Sequence, residues 1–273
     1  QLRSEAELSS TIGRLPGLFD KLRPTITMTD LLYGIHPVYE ALVAGRRGFK
    51  GVYVSKRRQA KGIRALLELA RAKGVSIQYR GPDYFSLLPG GSVHQGVSAR
   101  VSDYPLVDID AIFKKTETDD ELPIVLALDG IVDPQNLGSL IRTALAMGIH
   151  GIILAKDRAA PLSPSVSKAS AGAMEHAFIA RVPNLVTALK GLKKAGLWVV
   201  GAHPGSGQRV DEADFNVGLA IVIGGEGKGI RPLVRKTCDY LVSIPQKKVV
   251  DSLNAAVAGA IVLYEVVRQR RKV

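Results

Sequence analysis

A single cysteine, Cys238, in 273 residues removes two possibilities together, because an intramolecular disulfide and a thiolate zinc site both need a second thiol. What remains for Cys238 is the role of a small buried apolar residue. The histidines, His36, His94, His150, His176 and His203, show no H-E-x-x-H or related spacing, so no metal is expected. No G-x-S-x-G elbow offers a hydrolase nucleophile. No apolar run reaches the roughly 18 residues that cross a bilayer, and no charged-then-apolar leader opens the chain. A soluble, cytoplasmic protein without a membrane partner is the expectation. Acidic side chains are the other shortage: 25 Asp and Glu face 37 Lys and Arg, a formal charge of +12. That balance favours a polyanionic partner such as nucleic acid.

The basic excess is divided. Residues 1–105 carry 16 basic and 8 acidic side chains, residues 106–121 carry 2 and 6, and residues 122–273 carry 19 and 11. Two basic blocks flank an acidic connector, "DIDAIFKKTETDDELP", and at ~150 residues per domain the length suits two modest domains. The expected division is a leader over 1–28, a small α/β domain over 29–102, a linker over 103–121 and a larger domain over 122–273. In the small domain, strands are expected at 51–55, 76–80 and 96–101, with helices near 36–45 and 60–73. Downstream, "IVLALDG", "GIILA", "FIARV", "LWVVGAH", "LAIVIGG" and "YLVSIP" are short, continuous apolar runs. They alternate with helical patterns at 136–147, 163–174, 184–195, 230–237 and 252–269. This is the pattern of an α/β fold, a mostly parallel sheet with helices on both faces. Ligands in such sheets collect at the carboxyl ends of strands.

Three strand ends carry unusual residues. "GGEGKGI", from Gly224 to Ile230, is neither a Walker loop nor G-x-G-x-x-G, and it holds a carboxylate where a phosphate cradle would repel one. Its glycines require a sharp bend or a close approach, as in a plain turn or at the edge of a ligand pocket. Asn136 suits a helix start, and Arg142 falls six residues later on a helix otherwise lined by Leu137, Leu140, Ile141, Ala144 and Leu145. A solvated cation or an ion pair would account for Arg142 equally well. Ser252 suits the N-cap of the last helix, whose Leu253, Val257, Ile261 and Tyr264 repeat as a buried stripe. Asn254, two residues into that helix, has an amide free to face whatever sits at the terminus. The small-residue segment "SKASAGAMEHAFIARV" reads as close helix packing.

In this order the three segments resemble the SpoU-type RNA 2′-O-ribose methyltransferases of the SPOUT superfamily. The family's first motif matches Asn136, Gly138, Arg142, Thr143 and Ala144. Its second matches Ile223 to Gly229, and its third matches Ile244, Pro245, Ser252, Leu253 and Asn254. "SAGA" at 170–173 extends the likeness. "LYGIHPVYEAL" and "HQGVSARV" are similar to the ends of the ribosomal-protein-L30e-like domain of bacterial 23S rRNA guanosine-2′-O-methyltransferases. Gln246 and Lys248 stand where the family usually has Met and Gly, and Ala256 where it has Ser.

The resemblance implies a deep trefoil knot, S-adenosylmethionine as cofactor, an obligate homodimer and rRNA as the partner. It also implies a division of labour. Arg142 would be a fixed cation that lowers the pKa of the ribose hydroxyl. Asn136 would position Arg142 and the ribose, Glu226 would hold Arg142 or the nucleotide, and Ser252 and Asn254 would complete the wall. Cofactor contacts would come from Gly224, Gly225, Glu226, Gly227, Ile244, Pro245, Ser252 and Leu253, mainly through backbone. Two alternatives stay open: a non-catalytic RNA-binding protein on a degenerate fold, favoured by Gln246, Lys248 and Ala256, and methylation of tRNA.

Overall fold

The structure is a computed structural model that describes residues 31–56, 62–88, 94–118, 121–206, 208–247 and 252–271. The leader over 1–28 and Lys248 lie outside the described residues.

The first seven elements are β1 (Leu31–Tyr33), α1 (Ile35–Ala44), β2 (Phe49–Ser55), α2 (Ile63–Ala72), β3 (Ile77–Arg80), α3 (Pro82–Ser86) and β4 (Val97–Val101). Their sheet runs β1-β4-β2-β3, with β4 antiparallel to both neighbours and β2 parallel to β3. Leu32, Val38, Leu42, Val52, Leu66 and Val97 form its core.

The chain continues through α4 (Ile109–Thr118), β5 (Ile124–Asp129), α5 (Pro134–Ala146), β6 (Gly151–Ala155), α6 (Pro164–Ala169), β7 (Ile179–Val182), α7 (Leu185–Lys194), β8 (Trp198–Ala202), β9 (Gln208–Arg209), β10 (Leu219–Gly224), α8 (Pro232–Thr237), β11 (Tyr240–Ser243) and α9 (Ala255–Arg270). Seven strands line up as β7-β6-β5-β10-β8-β11-β9, every adjacent pair parallel. Side chains alternate across a strand, and this explains the continuous apolar runs. Leu126, Leu128, Ile221 and Ile223 point into a core shared with α5 and α9. Val125, Ala127, Ala220 and Val222 point into another, shared with α4, α7 and α8.

Three expectations need correction. The acidic connector is not all open chain: α4 lies within it, and Ile112 is fully buried against the large sheet. Ile109 and Phe113 flank Ile112 at helical spacing and pack on the same core, but they stand among charges. The helix expected over 163–174 stops at Ala169. Positive φ at Ala171 and Gly172 breaks it before a 3-10 turn at Ala173–His176. The segment does pack closely, since a Cβ on Gly138 of α5 would lie 2.4 Å from Cβ of Ala169 and 2.9 Å from the Val166 carbonyl oxygen.

The last helix begins at Ala255 rather than 252, and Asn254, not Ser252, is its cap. The buried stripe of α9 is Ala255, Gly259, Val262, Leu263 and Val266. Val257, Ile261 and Tyr264 are 47%, 37% and 53% exposed. The stripe expected from helical spacing is therefore not the buried one, because α9 carries a second apolar face and packs that one on α5 and β10.

The two sheets meet where α1 packs on α6 and on the turn at Ala173–His176. Arg47 Nε pairs with Glu175 at 2.7 Å, both side chains almost wholly buried. Burial pushes the Glu175 carboxyl up, opposed by the Arg47 charge and by the Ser167 hydroxyl, which donates at 2.8 Å. Arg46 donates to the carbonyls of Ala177 and Pro105. Its guanidinium lies over the rings of Tyr104 and Phe178, 5.7 and 5.1 Å from their centroids. A half-exposed pair, Glu40 and His176 at 2.8 Å, closes the rim.

Candidate active site at the carboxyl ends of the parallel strands

Pairing of β5 with β10 puts Asp129 opposite Gly224, so the first two unusual strand ends are neighbours by register. The glycine loop then folds on itself. A Cβ on Gly224 would fall 2.2 Å from the Gly229 carbonyl carbon, and one on Gly225 would fall 2.0 Å from the Gly130 oxygen. Gly227 and Gly229 take φ of +78° and +59°, and the Gly229 N–H donates to the Gly225 carbonyl at 2.9 Å. The loop's own backbone therefore uses the glycines, and Glu226 is lifted to its exposed tip.

Two residues that sequence reasoning passed over hold this arrangement. Asp129 is buried at the end of β5 and accepts from the Arg231 backbone N–H at 2.8 Å and from Arg231 Nε at 2.6 Å. A charged residue closing an otherwise apolar strand was the available signal.

Three of the expected site residues come together. Asn136 Nδ2 donates to Glu226 Oε1 at 2.6 Å, and Asn254 Nδ2 donates to Asn136 Oδ1 and to Glu226 Oε1, both at 2.9 Å. Their orientation is set from outside. Asn254 Oδ1 caps α9, accepting from Ala256 and Val257 N–H, so its amide nitrogen must face the other two. Asn136 sits in the first turn of α5, whose cap is Asp133.

Arg142 stands apart. Six residues along an α-helix is about 9 Å of rise and about 240° of rotation, so Asn136 and Arg142 leave α5 on different flanks. Within one chain Asn136 and Glu226 are bonded to each other and to Asn254, and neither is bonded to Arg142. The arginine is exposed, has no bonded partner among the described residues, and lines a cleft of about 620 Å³ together with His36, Glu40 and His176. The cleft lies at the junction of the two sheets.

Ser252 is exposed and Leu253 half-buried in the extended approach to α9. Ile244 packs on the core, Pro245 and Gln246 are exposed after β11, and Ala256 is half-buried against the core. Because β10, β8 and β11 are adjacent, the segments after them open side by side. His203, just after β8, offers a binding group there. Its Nε2 faces Arg235 Nη1 at 3.1 Å and must accept, which leaves the proton on Nδ1. Nδ1 is buried with no partner among the described residues, near Gly229. Burial and the Arg235 charge push the imidazole pKa down. A neutral donor facing glycine-rich backbone fits a ligand rich in heteroatoms and free of phosphate. Cys238, in contrast, is an inert thiol, pushed up to about 11 by burial.

A doubly covered parallel sheet with a polar network at its strand ends, joined to a small α/β domain, defines a two-domain enzyme with its ligand site at the sheet's carboxyl edge. Residues 123–264 match the SpoU rRNA Methylase family, and residues 31–107 match the RNA 2′-O ribose methyltransferase substrate binding family. The chain belongs to the SpoU family. The 23S rRNA (guanosine-2′-O-)-methyltransferase RlmB of Escherichia coli is 37% identical over 246 residues, covering 89% of this chain and all of the relative. YacO of Bacillus subtilis, a provisionally assigned TrmH family tRNA/rRNA methyltransferase, is 40% identical over 244 residues, covering 89% and 97% of the two chains. Among solved structures, the SpoU methyltransferase AviRb of Streptomyces viridochromogenes, in complex with the cofactor AdoMet, superposes with a TM-score of 0.73. It is 31% identical, over 88% of this chain and 90% of that one.

Proposed function

We propose that the protein methylates a ribose 2′-hydroxyl of RNA, using S-adenosylmethionine, and that its target is a guanosine of 23S rRNA. The observation that carries this reading is the three-way bond among Asn136, Glu226 and Asn254, drawn from three distant segments to one strand edge. RlmB, similar along its whole length, is named for the guanosine reaction.

S-adenosylmethionine, when bound, supplies an electrophilic methyl group on a sulfonium sulfur. The segments at Gly224, Gly225, Glu226 and Gly227, at Ile244 and Pro245, and at Ser252 and Leu253 would hold it, with His203 Nδ1 as a further donor. A ribose hydroxyl is a weak nucleophile, so its developing alkoxide needs stabilising as the proton leaves to water. A guanidinium does not act as a base in proteins; Arg142 therefore serves as a fixed cation beside the ribose and its phosphate. Glu226, with both amides donating to it, is kept as an acceptor for the nucleotide.

The small domain, 29–102, would engage RNA, with 122–273 catalytic and 103–121 joining them. A second copy of the chain would cover Val257, Ile261 and Tyr264 of α9. Since α9 lies against α5, that copy would stand beside both flanks of α5, and a homodimer is part of the proposal. So is a trefoil knot in the catalytic domain. The cytoplasm is the compartment where the rRNA substrate is met.

The test is mapping of ribose methylation on 23S rRNA and tRNA incubated with the purified protein and S-adenosylmethionine. One methylated guanosine in 23S rRNA is the expected result. Modification confined to tRNA would move the substrate, and micromolar S-adenosylmethionine binding without any RNA product would leave only a binding protein.

A further inference from the structure

A groove of about 1080 Å³ opens on the face of the large sheet that carries α7 and α8, at the carboxyl ends of β6, β7 and β10. Its lining contains six cations, Arg158, Lys190, Lys193, Lys228, Arg231 and Lys236, and one anion, Asp157. Two of the six are already paired: Arg231 with Asp129 at 2.6 Å, and Lys193 with Asp239 at 2.8 Å. Arg158, Lys190, Lys228 and Lys236 are exposed and have no ion pair among the described residues.

Four unpaired cations against one carboxylate, Asp157, leave the concavity with a net positive charge that attracts a polyanion. The remaining lining narrows the choice. Leu185, Val186 and Leu233, the last 70% exposed, supply an apolar floor, but no aromatic ring lines the groove on which a base could stack. Such a surface tracks sugar and phosphate without reading sequence. Its position adds a second argument, since Lys228 lies two residues from Glu226 on the same loop, so groove and polar network share an edge.

We propose that this groove binds the sugar–phosphate backbone of the RNA flanking the methylated nucleotide, as an RNA surface separate from the small domain. The inference rests on the methyltransferase reading for the identity of the polyanion. It makes affinity for RNA a joint property of both domains, with the catalytic domain contributing a sequence-independent, salt-sensitive share.

The test is the double variant Lys190→Gln, Lys236→Gln. Both lysines are exposed on helices and bonded to nothing described, and glutamine removes the charge while keeping a polar side chain of similar helix propensity. Binding of transcribed 23S rRNA is measured across a range of salt concentrations. Losing two phosphate contacts should flatten the slope of log affinity against log salt by about 1.4–1.8. The KM for RNA should rise while kcat and the calorimetric affinity for S-adenosylmethionine hold. An unchanged slope and KM overturn the proposal. So does an unchanged RNA slope accompanied by lost binding to phosphatidylserine vesicles, which would make the groove a membrane surface. If the wild-type protein methylates no RNA and the variant's slope still flattens, the groove stands and the methyltransferase reading falls.

Discussion

Asn254 does two jobs with one amide: its oxygen caps α9 and its nitrogen bonds Asn136 and Glu226. Substitutions can separate them. Asn254→Asp keeps an oxygen for the cap and adds a negative charge that suits a helix N-terminus. The same change sets a carboxylate against Glu226 where a donor stood. The expected outcome is a melting midpoint near wild type with turnover reduced at least ten-fold; wild-type turnover would mean that the network is not part of the site. Arg142 allows a cleaner test, because it is exposed and bonded to nothing described. Arg142→Ala should abolish methylation while S-adenosylmethionine binding, read by calorimetry, stays within a few-fold. Near-normal turnover would remove the arginine from the mechanism.

At the scale of the element, the glycine loop and α9 invite opposite expectations. A methyl group on Gly225 meets the Gly130 carbonyl at 2.0 Å, and backbone on both sides leaves no flexible atom to yield. Gly225→Ala should destabilise the protein by about 1–3 kcal/mol, the usual range for overpacking, and weaken S-adenosylmethionine binding; a denaturant titration and calorimetry read both. On α9 the exposed Ile261 is the probe. Ile261→Glu should leave the fold intact and shift sedimentation from dimer to monomer, whereas identical sedimentation of the two proteins would discard that face as the interface.

Elements differed in how far they could be read from sequence. The parallel strands were legible because a strand buried on both faces is apolar at every position, as in β6 and β10 and in β5 up to Asp129. β1 and β9 are three and two residues long, too short for any period. α4 sets its short apolar stripe, Ile109, Ile112 and Phe113, among charges. Of the residues expected at the site, Asn136, Glu226 and Asn254 come together, but the bonds among them were not legible. Whether Asn136 meets Arg142 or Glu226 depends on helix phase and strand register, and Glu226 lies 90 residues away in the chain.

For the molecule as a whole, the junction between the domains was invisible beforehand, because nothing in the sequence pairs Arg47 with Glu175, 128 residues further along the chain. In the structure Arg47 and Glu175 are a buried pair, and removing one partner of such a pair costs about 3–5 kcal/mol. Arg47→Met should show a loss of that order by denaturation. The loss should also depend on pH. Burial raises the folded pKa of Glu175, so the carboxyl's contribution to stability is present in acid and is lost as pH rises through that folded value. Without the Arg47 charge the rise is larger. The deficit of Arg47→Met should therefore be smaller near about pH 5 than near about pH 8. A pH-independent deficit would show that the arginine acts through packing alone.

The hydrogen bond from Asn254 to Asn136 spans 118 residues of chain. During synthesis, a ribosome that has delivered β5 through β11 has supplied Asn136 and Glu226 but not the residue that completes them. Loop closure over such a distance is entropically slow, so capacity for catalysis should lag behind the gain of secondary structure in refolding.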